Sequence, residues 1–201
     1  MRILHVGSTG TVGQAVGMAL RERGHQLVSA HRGSADHPVD LADPTTISAL
    51  FDAEADQGLD AVVCTAGVTP FAPWDDMDRD TLLLGLTNKF LGQVELVRQG
   101  ARVVRPGGSF TLITGILGRE PIRAGSAAAA ANGALEAWVR ASAGELWGRF
   151  RINAVSPTVL SESREKYATA MPGFPAVDAA DVAQAYVRSA ESMDTGQIYV
   201  L

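Results

Sequence analysis

The sequence predicts an α/β fold, a doubly wound parallel sheet of about seven strands between two layers of helices. Three observations predict it. Short β-branched runs alternate with longer stretches of helical period, which is the pattern of repeated βαβ units. A glycine-rich turn lies where the first strand passes into the first helix. With 201 residues, 46% of them hydrophobic and 19% charged, the chain can bury a substantial core. No internal repeat or linker interrupts it, so residues 1–201 are expected to form a single domain.

The predicted strands are Arg2 to Val6, Gln26 to Ala30, His37 to Leu41, Ala61 to Cys64, Ser109 to Thr114, Arg151 to Val155 and Gln197 to Val200. Helices are expected from Val12 to Arg23, Thr45 to Ala53, Arg79 to Val104, Ala127 to Trp147 and Ala179 to Ser192. Asp43 and Asp178 stand where a capping side chain is wanted, and Pro106-Gly107-Gly108 is expected to stop the third helix. The acidic cluster from Asp75 to Asp80 precedes that helix, where carboxylates favour the positive end of the dipole. The lone cysteine, Cys64, sits in an apolar run and reads as strand packing.

The formal net charge is −5, and no run of basic residues offers the surface that a nucleic-acid backbone requires. No apolar stretch approaches the roughly 18 residues of a membrane span. The N-terminus runs directly into the first strand, so a cytoplasmic protein without a signal peptide is expected. His5 and His25 lack partners at ligand spacing, and no metal site is expected.

The segment Gly7-Ser8-Thr9-Gly10-Thr11-Val12-Gly13 follows the first strand and opens the first helix. That context makes a glycine loop a phosphate cradle of the Rossmann type. Gly7 permits the tight turn, Gly10 lets a pyrophosphate approach the backbone, and Gly13 lets helix and strand pack closely. The amides through Val12 and the helix dipole then face the anion, and Ser8, Thr9 and Thr11 add hydroxyl donors. The spacing is G-x-x-G-x-x-G rather than the plain G-x-G-x-x-G. After the second strand come His31 and Arg32, where an NAD enzyme places an acid. An arginine fork there suits a 2′-phosphate, which favours NADP(H) over NAD(H); the alternative is an arginine merely exposed at a loop mouth. Asp40, before Leu41, either receives the adenine amino group or serves a turn.

The glycine loop, the Asp40-Leu41 pair and the turn Cys64-Thr65-Ala66-Gly67 together resemble the short-chain dehydrogenase/reductase family, whose corresponding strand ends in Asn-Asn-Ala-Gly. Further landmarks follow in order: Gly107-Gly108-Ser109, the run from Arg151 to Pro157, Asp181-Val182-Ala183 and Thr195-Gly196-Gln197. The resemblance spans nearly the whole chain. It implies an oxidoreductase acting on a small carbonyl or alcohol, with Thr65, Ala66, Gly67 and Pro157 against the cofactor. It also implies a homodimer or homotetramer, built on the Arg79–Val104 helix and the helix that opens with Ala127 to Ala131.

The family's usual serine, tyrosine and lysine are replaced here by Gly115, Ala128 and Asn132, with the spacing preserved. The chain thus resembles a short, divergent subgroup of the Listeria type. Four residues are candidates for the missing chemistry. Asn132 keeps a polar group where the lysine would hold the nicotinamide ribose. Thr114 offers a hydroxyl beside the lost serine. Lys89 falls where the family places a helix asparagine, and either supplies charge to a substrate oxygen or is solvated. Tyr167 lies in the expected lid, Ser161 to Asp178, and either donates a proton or packs beneath the loop. In the same stretch, Glu162, Glu165 and Lys166 read as a solvated face. Two functions follow: an NADP(H)-dependent oxidoreductase with a non-standard active site, or a non-catalytic dinucleotide-binding sensor or interaction protein.

Overall fold

Six parallel strands form the central sheet of the computed structural model, which describes every residue from Met1 to Leu201. They are β1 (Arg2–Val6), β2 (Gln26–Ala30), β3 (Leu59–Cys64), β4 (Val104–Ile113), β5 (Arg151–Ser156) and, last in the chain, β8 (Ile198–Val200). The spatial order is β2-β1-β3-β4-β5-β8. The chain runs outward from β1 to β2 and then crosses to β3 on the other side of β1, so the order reverses between β1 and β3. That reversal opens a crevice at the carboxyl ends of these strands.

Helices cover both faces. On one side lie α1 (Thr11–Glu22) and α7 (Ala179–Glu191); on the other lie α2 (Pro44–Glu54), α4 (Gly92–Gly100) and α5 (Ser126–Glu145). The strands feed both layers by alternation. Along β3, Ala61 and Val63 join Val16, Leu20 and Tyr186 in one core, while Val62 and Cys64 join Phe51, Leu96 and Leu135 in the other. Asp43 caps α2 by accepting from Thr45 N at 2.9 Å.

The structure departs from the sequence expectation at four places. His37 to Leu41 is not a strand. Pro38 has no N–H to give, and a single ladder-like bond forms, from Val39 N to His31 O. Val39 and Leu41 are buried with Asp40 between them, so the alternation that reads as a strand belongs to a loop lying on the core. The sheet accordingly has six strands and not seven.

The expected helix from Arg79 to Val104 is three segments: α3 (Arg79–Gly85), a π-helical turn (Leu86–Leu91) and α4. It ends at Gly100, where a Cβ would lie 2.8 Å from the Phe110 ring and 2.9 Å from that of Phe51. Pro106-Gly107-Gly108 does not stop this helix; it lies inside β4, at an irregularity in the pairing with β3. Asp78, from the acidic cluster, caps α3 through Thr81 N at 2.8 Å.

Asp178 begins α7 without a side-chain bond, and Glu162 accepts from Ala179 N at 3.0 Å instead. Two short strands absent from the sequence reading, β6 (Val159–Leu160) and β7 (Ala176–Val177), pair in parallel and staple the two ends of the segment that carries the small helix α6 (Arg164–Tyr167).

Candidate functional site

At the carboxyl ends of β1, β2 and β3 a cavity of about 380 Å³ is lined by Gly7, Thr9, Gly10, His31, Arg32, Asp40, Leu41, Thr65, Ala66, Gly67 and Asn88, among others. The glycines behind it differ in what demands them. Gly7 has φ +90° and would place a Cβ 2.8 Å from Ala66. Gly13 would drive one to within 2.2 Å of the Gly7 carbonyl oxygen. Gly10 is exposed, and a Cβ there would meet only Gly7 O, at 3.9 Å. The fold itself therefore requires Gly7 and Gly13 but not Gly10, whose missing side chain leaves the N-terminus of α1 open from outside. No side chain caps that terminus, so its first amides keep their donors for an anion.

Thr65 holds this loop in place. Its hydroxyl lies 3.0 Å from Gly7 O and 3.2 Å from His5 Nε2. Burial holds the His5 imidazole down to about 4, so the ring bonds to Thr65 in its neutral form. Asn88 Oδ1 accepts from Val68 N at 2.7 Å and fixes the chain after Gly67. Asp40 accepts from Ala42 N at 2.9 Å, the turn arrangement, while still lining the cavity. Ser8, Thr11, Val12 and Gly13 are not on the wall: Gly13 is buried, Val12 packs against the core beneath α1, and Ser8 and Thr11 are partly or fully exposed. Pro157 does not line this cavity either. Its carbonyl accepts from Ile116 N at 3.0 Å, and it belongs to the wall of a second, larger one.

That second cavity, about 720 Å³, brings together Lys89, Thr114, Gly115, Ala128, Asn132 and Tyr167. Lys89 stands in the π-helical turn, a local widening of the kind common at functional sites. Its ammonium donates to the Thr114 carbonyl at 3.2 Å, and burial brings it down to about 8. Gln93 stabilises the turn. Its amide donates to Lys89 O at 2.9 Å and Ile113 O at 3.0 Å, and its oxygen accepts from Ile113 N at 2.8 Å. A Cβ on Gly67 would come within 2.9 Å of Lys89 Cγ, so the close turn between the two cavities gives the lysine its room.

Thr114 contributes differently from expectation. Its hydroxyl donates away from the cavity, to Glu136 at 3.2 Å, and only its carbonyl faces Lys89. Glu136 on α5 is buried and also accepts from Ser156 at 3.0 Å and from Arg119, whose other nitrogen donates to Ser156 at 3.0 Å. One turn earlier on the same face is Asn132, 3% exposed, with its side-chain oxygen unpartnered at the cavity wall. A buried amide oxygen without a donor is costly, and a ligand hydroxyl or water satisfies it. Tyr167 is half-buried on the opposite wall, with the Lys166 ammonium 5.4 Å from its ring centre.

The fold is shared with solved structures. Residues 11–201 match a family model described as enoyl-(acyl carrier protein) reductase, a member of the short-chain dehydrogenase/reductase group. The crystal structure of the protein lin1944 from Listeria innocua is 36% identical, with a TM-score of 0.95, covering 100% of this chain and 99% of that one. The chain belongs to the short-chain dehydrogenase/reductase family. A small-chain dehydrogenase is 26% identical at TM-score 0.85 over 100% of this chain and 95% of its own. Another, crystallised in complex with NADPH, is 24% identical at TM-score 0.86 over 100% and 96%.

Gly115, Ala128 and Asn132, which the sequence resemblance set at the places of the usual serine, tyrosine and lysine, all line the one cavity. Gly115 is extended, and a Cβ there would find Asn132 at an ordinary 3.5 Å, so its lack of a side chain is not forced by crowding. Ala127, Ala128 and Ala131 are buried within the chain, which leaves only Ala129 and Ala130 of that run for any partner. Asn88, Gln93, Arg119, Arg123 and Glu136 went unremarked in the sequence. Only the separation of Asn132 from Glu136 by one helical turn could have pointed to any of them.

Proposed function

We propose that this member of the family is an NADP(H)-dependent reductase of a small carbonyl compound, with Lys89 as the proton donor. The observation that carries the reading is the juxtaposition of two cavities across Gly67: a dinucleotide cradle on one side and a lysine held against a main-chain carbonyl on the other. The cradle fits the cofactor on its own terms. Gly10 leaves space that the fold does not use, and α1 offers uncapped amides to a pyrophosphate. His31 and Arg32 stand where a 2′-phosphate would be received.

A reduced nicotinamide bound there supplies hydride to the substrate carbon. The chain's task is to hold the carbonyl, exclude water and deliver one proton to the oxygen. Lys89 carries that proton. An ammonium near pKa 8 is acidic enough to give it up and is still mostly charged at neutral pH. Asn132 offers its amide to a ribose or substrate hydroxyl, and Tyr167 closes the far wall.

The experiment is calorimetric titration with NADPH and NADH, followed by a panel of aldehydes and ketones monitored at the reduced-nicotinamide absorbance. Tight NADPH binding with turnover is expected. Binding without turnover of any carbonyl would turn the reading to a dinucleotide sensor, and no binding would end both.

A further inference from the structure

The chain has only two lysines, Lys89 and Lys166, and both line the larger cavity. Arg123 joins them, and no aspartate or glutamate lies on the wall. In a protein with net charge −5 and 22 acidic residues this is a strong local reversal of sign. None of the three cations is in an ion pair. The arginine ion pairs engage Arg2, Arg23, Arg98, Arg102, Arg105, Arg119, Arg140 and Arg188, and neither lysine nor Arg123 takes part in any. Glu162, beside Lys166 in the lid, is turned to Ala179 N, and Glu136 lies behind the wall with Arg119.

Arg123 is not on a loose loop. The next residue, Ala124, holds φ +57°, a left-handed conformation that a non-glycine residue adopts only under constraint, and its carbonyl accepts from Ala72 N at 3.1 Å. The two loops that roof the cavity are thereby tied together with the guanidinium at the rim. The remaining wall is apolar, including Phe71, Ile116, Leu117, Ile122 and Met171. The buried, unpartnered Asn132 oxygen is a second sign that this wall faces a ligand.

We propose that the substrate of this cavity carries an anionic group, a carboxylate or a phosphate, on an apolar body, with Arg123 and Lys166 receiving the anion at the rim and the reacting carbonyl at Lys89. This rests on the reductase reading for the carbonyl, but the anion site does not.

The test is calorimetric titration, with and without NADPH, of hexanoate, hexyl phosphate and hexanamide into the protein and into Arg123→Gln and Lys166→Gln. Both side chains are exposed and free of ion pairs, so the variants are expected to fold. At least one anion should bind at least tenfold more tightly than the amide, and each variant should reduce that preference severalfold; the two anions separate carboxylate from phosphate. Amide binding as tight as the anions, a preference intact in both variants, or no binding of any ligand at millimolar concentration overturns the proposal. An anion preference in a protein that turns over no carbonyl would sink the reductase reading and leave this one standing. Equal turnover of neutral and anionic aldehydes without the preference would do the reverse.

Discussion

The Lys89 ammonium lies 3.2 Å from the main-chain oxygen of Thr114, and no carboxylate shares it. The carbonyl is a neutral partner and offsets only part of the cost of enclosing a charge. The consequence is visible in the pKa, brought from 10.5 to about 8 by burial. The group proposed as the proton donor is thus also one whose burial costs stability.

The first prediction follows. The folded pKa lies below the unfolded one, so the unfolded chain binds the extra proton between about pH 8 and 10.5. The penalty is complete below pH 8 and disappears as pH rises through that window. Lys89→Met should therefore stabilise the protein at neutral pH, by about 1–3 kcal/mol, while lowering turnover by roughly 100-fold or more. In the wild type, turnover should decline as pH rises through about 8, because the donor is then neutral. Urea midpoints and a pH–rate profile read both effects. Loss of stability in Lys89→Met, together with unchanged turnover, would show that the lysine is merely structural.

The glycine loop allows a cleaner separation of fold from ligand. Gly10→Ala meets nothing nearer than 3.9 Å and should change stability by less than about 1 kcal/mol, yet weaken NADPH binding at least tenfold. Gly13→Ala, with its Cβ 2.2 Å from a backbone oxygen, should lose about 1–3 kcal/mol of stability as well. Thermal melts alongside cofactor titration decide it. Undiminished NADPH binding in Gly10→Ala would remove the pyrophosphate from this turn.

The proposed preference for NADPH rests on one exposed side chain, that of Arg32. Arg32→Ala should weaken NADPH by about 10- to 100-fold, the worth of a charge-assisted contact to phosphate, and NADH by less than about twofold. Equal losses for the two would mean that Arg32 supports the loop and does not read the phosphate.

These contrasts mark what is legible in a sequence of this kind. The glycine loop and the β–α alternation are local patterns, and each lies where its spacing places it; Gly115, Ala128 and Asn132, also picked out by spacing, meet on one cavity wall. Asp40 and Leu41 were misread as strand because burial alternates along that loop, and periodicity cannot tell a ladder from a loop packed on a core. The π-helical turn at Lys89 is set by Gln93 reaching across to Ile113, a contact between elements that no local pattern carries. The clustering of both lysines with Arg123 likewise exists only once three distant segments meet.

The same is true of Glu136, whose carboxylate joins the ends of β4 and β5 to Arg119 through Thr114 and Ser156. Removing it leaves the buried Ser156 hydroxyl without its acceptor, the Thr114 hydroxyl with only a long bond to Val155 O at 3.4 Å, and the half-buried Arg119 guanidinium without its carboxylate, so Glu136→Ala should cost about 3 kcal/mol or more. Arg119 keeps some exposure, with 32% of its side chain accessible, so Arg119→Ala should cost less, and the double variant should fall short of the sum by about 1–3 kcal/mol. Because Thr114 presents its carbonyl to Lys89 from this network, Glu136→Ala should also move the turnover pH profile, whereas an ordinary core lesion elsewhere would only lower the melting temperature. Additive stability losses and an unmoved profile would mean that Glu136 is independent of Arg119 and has no hold on the lysine.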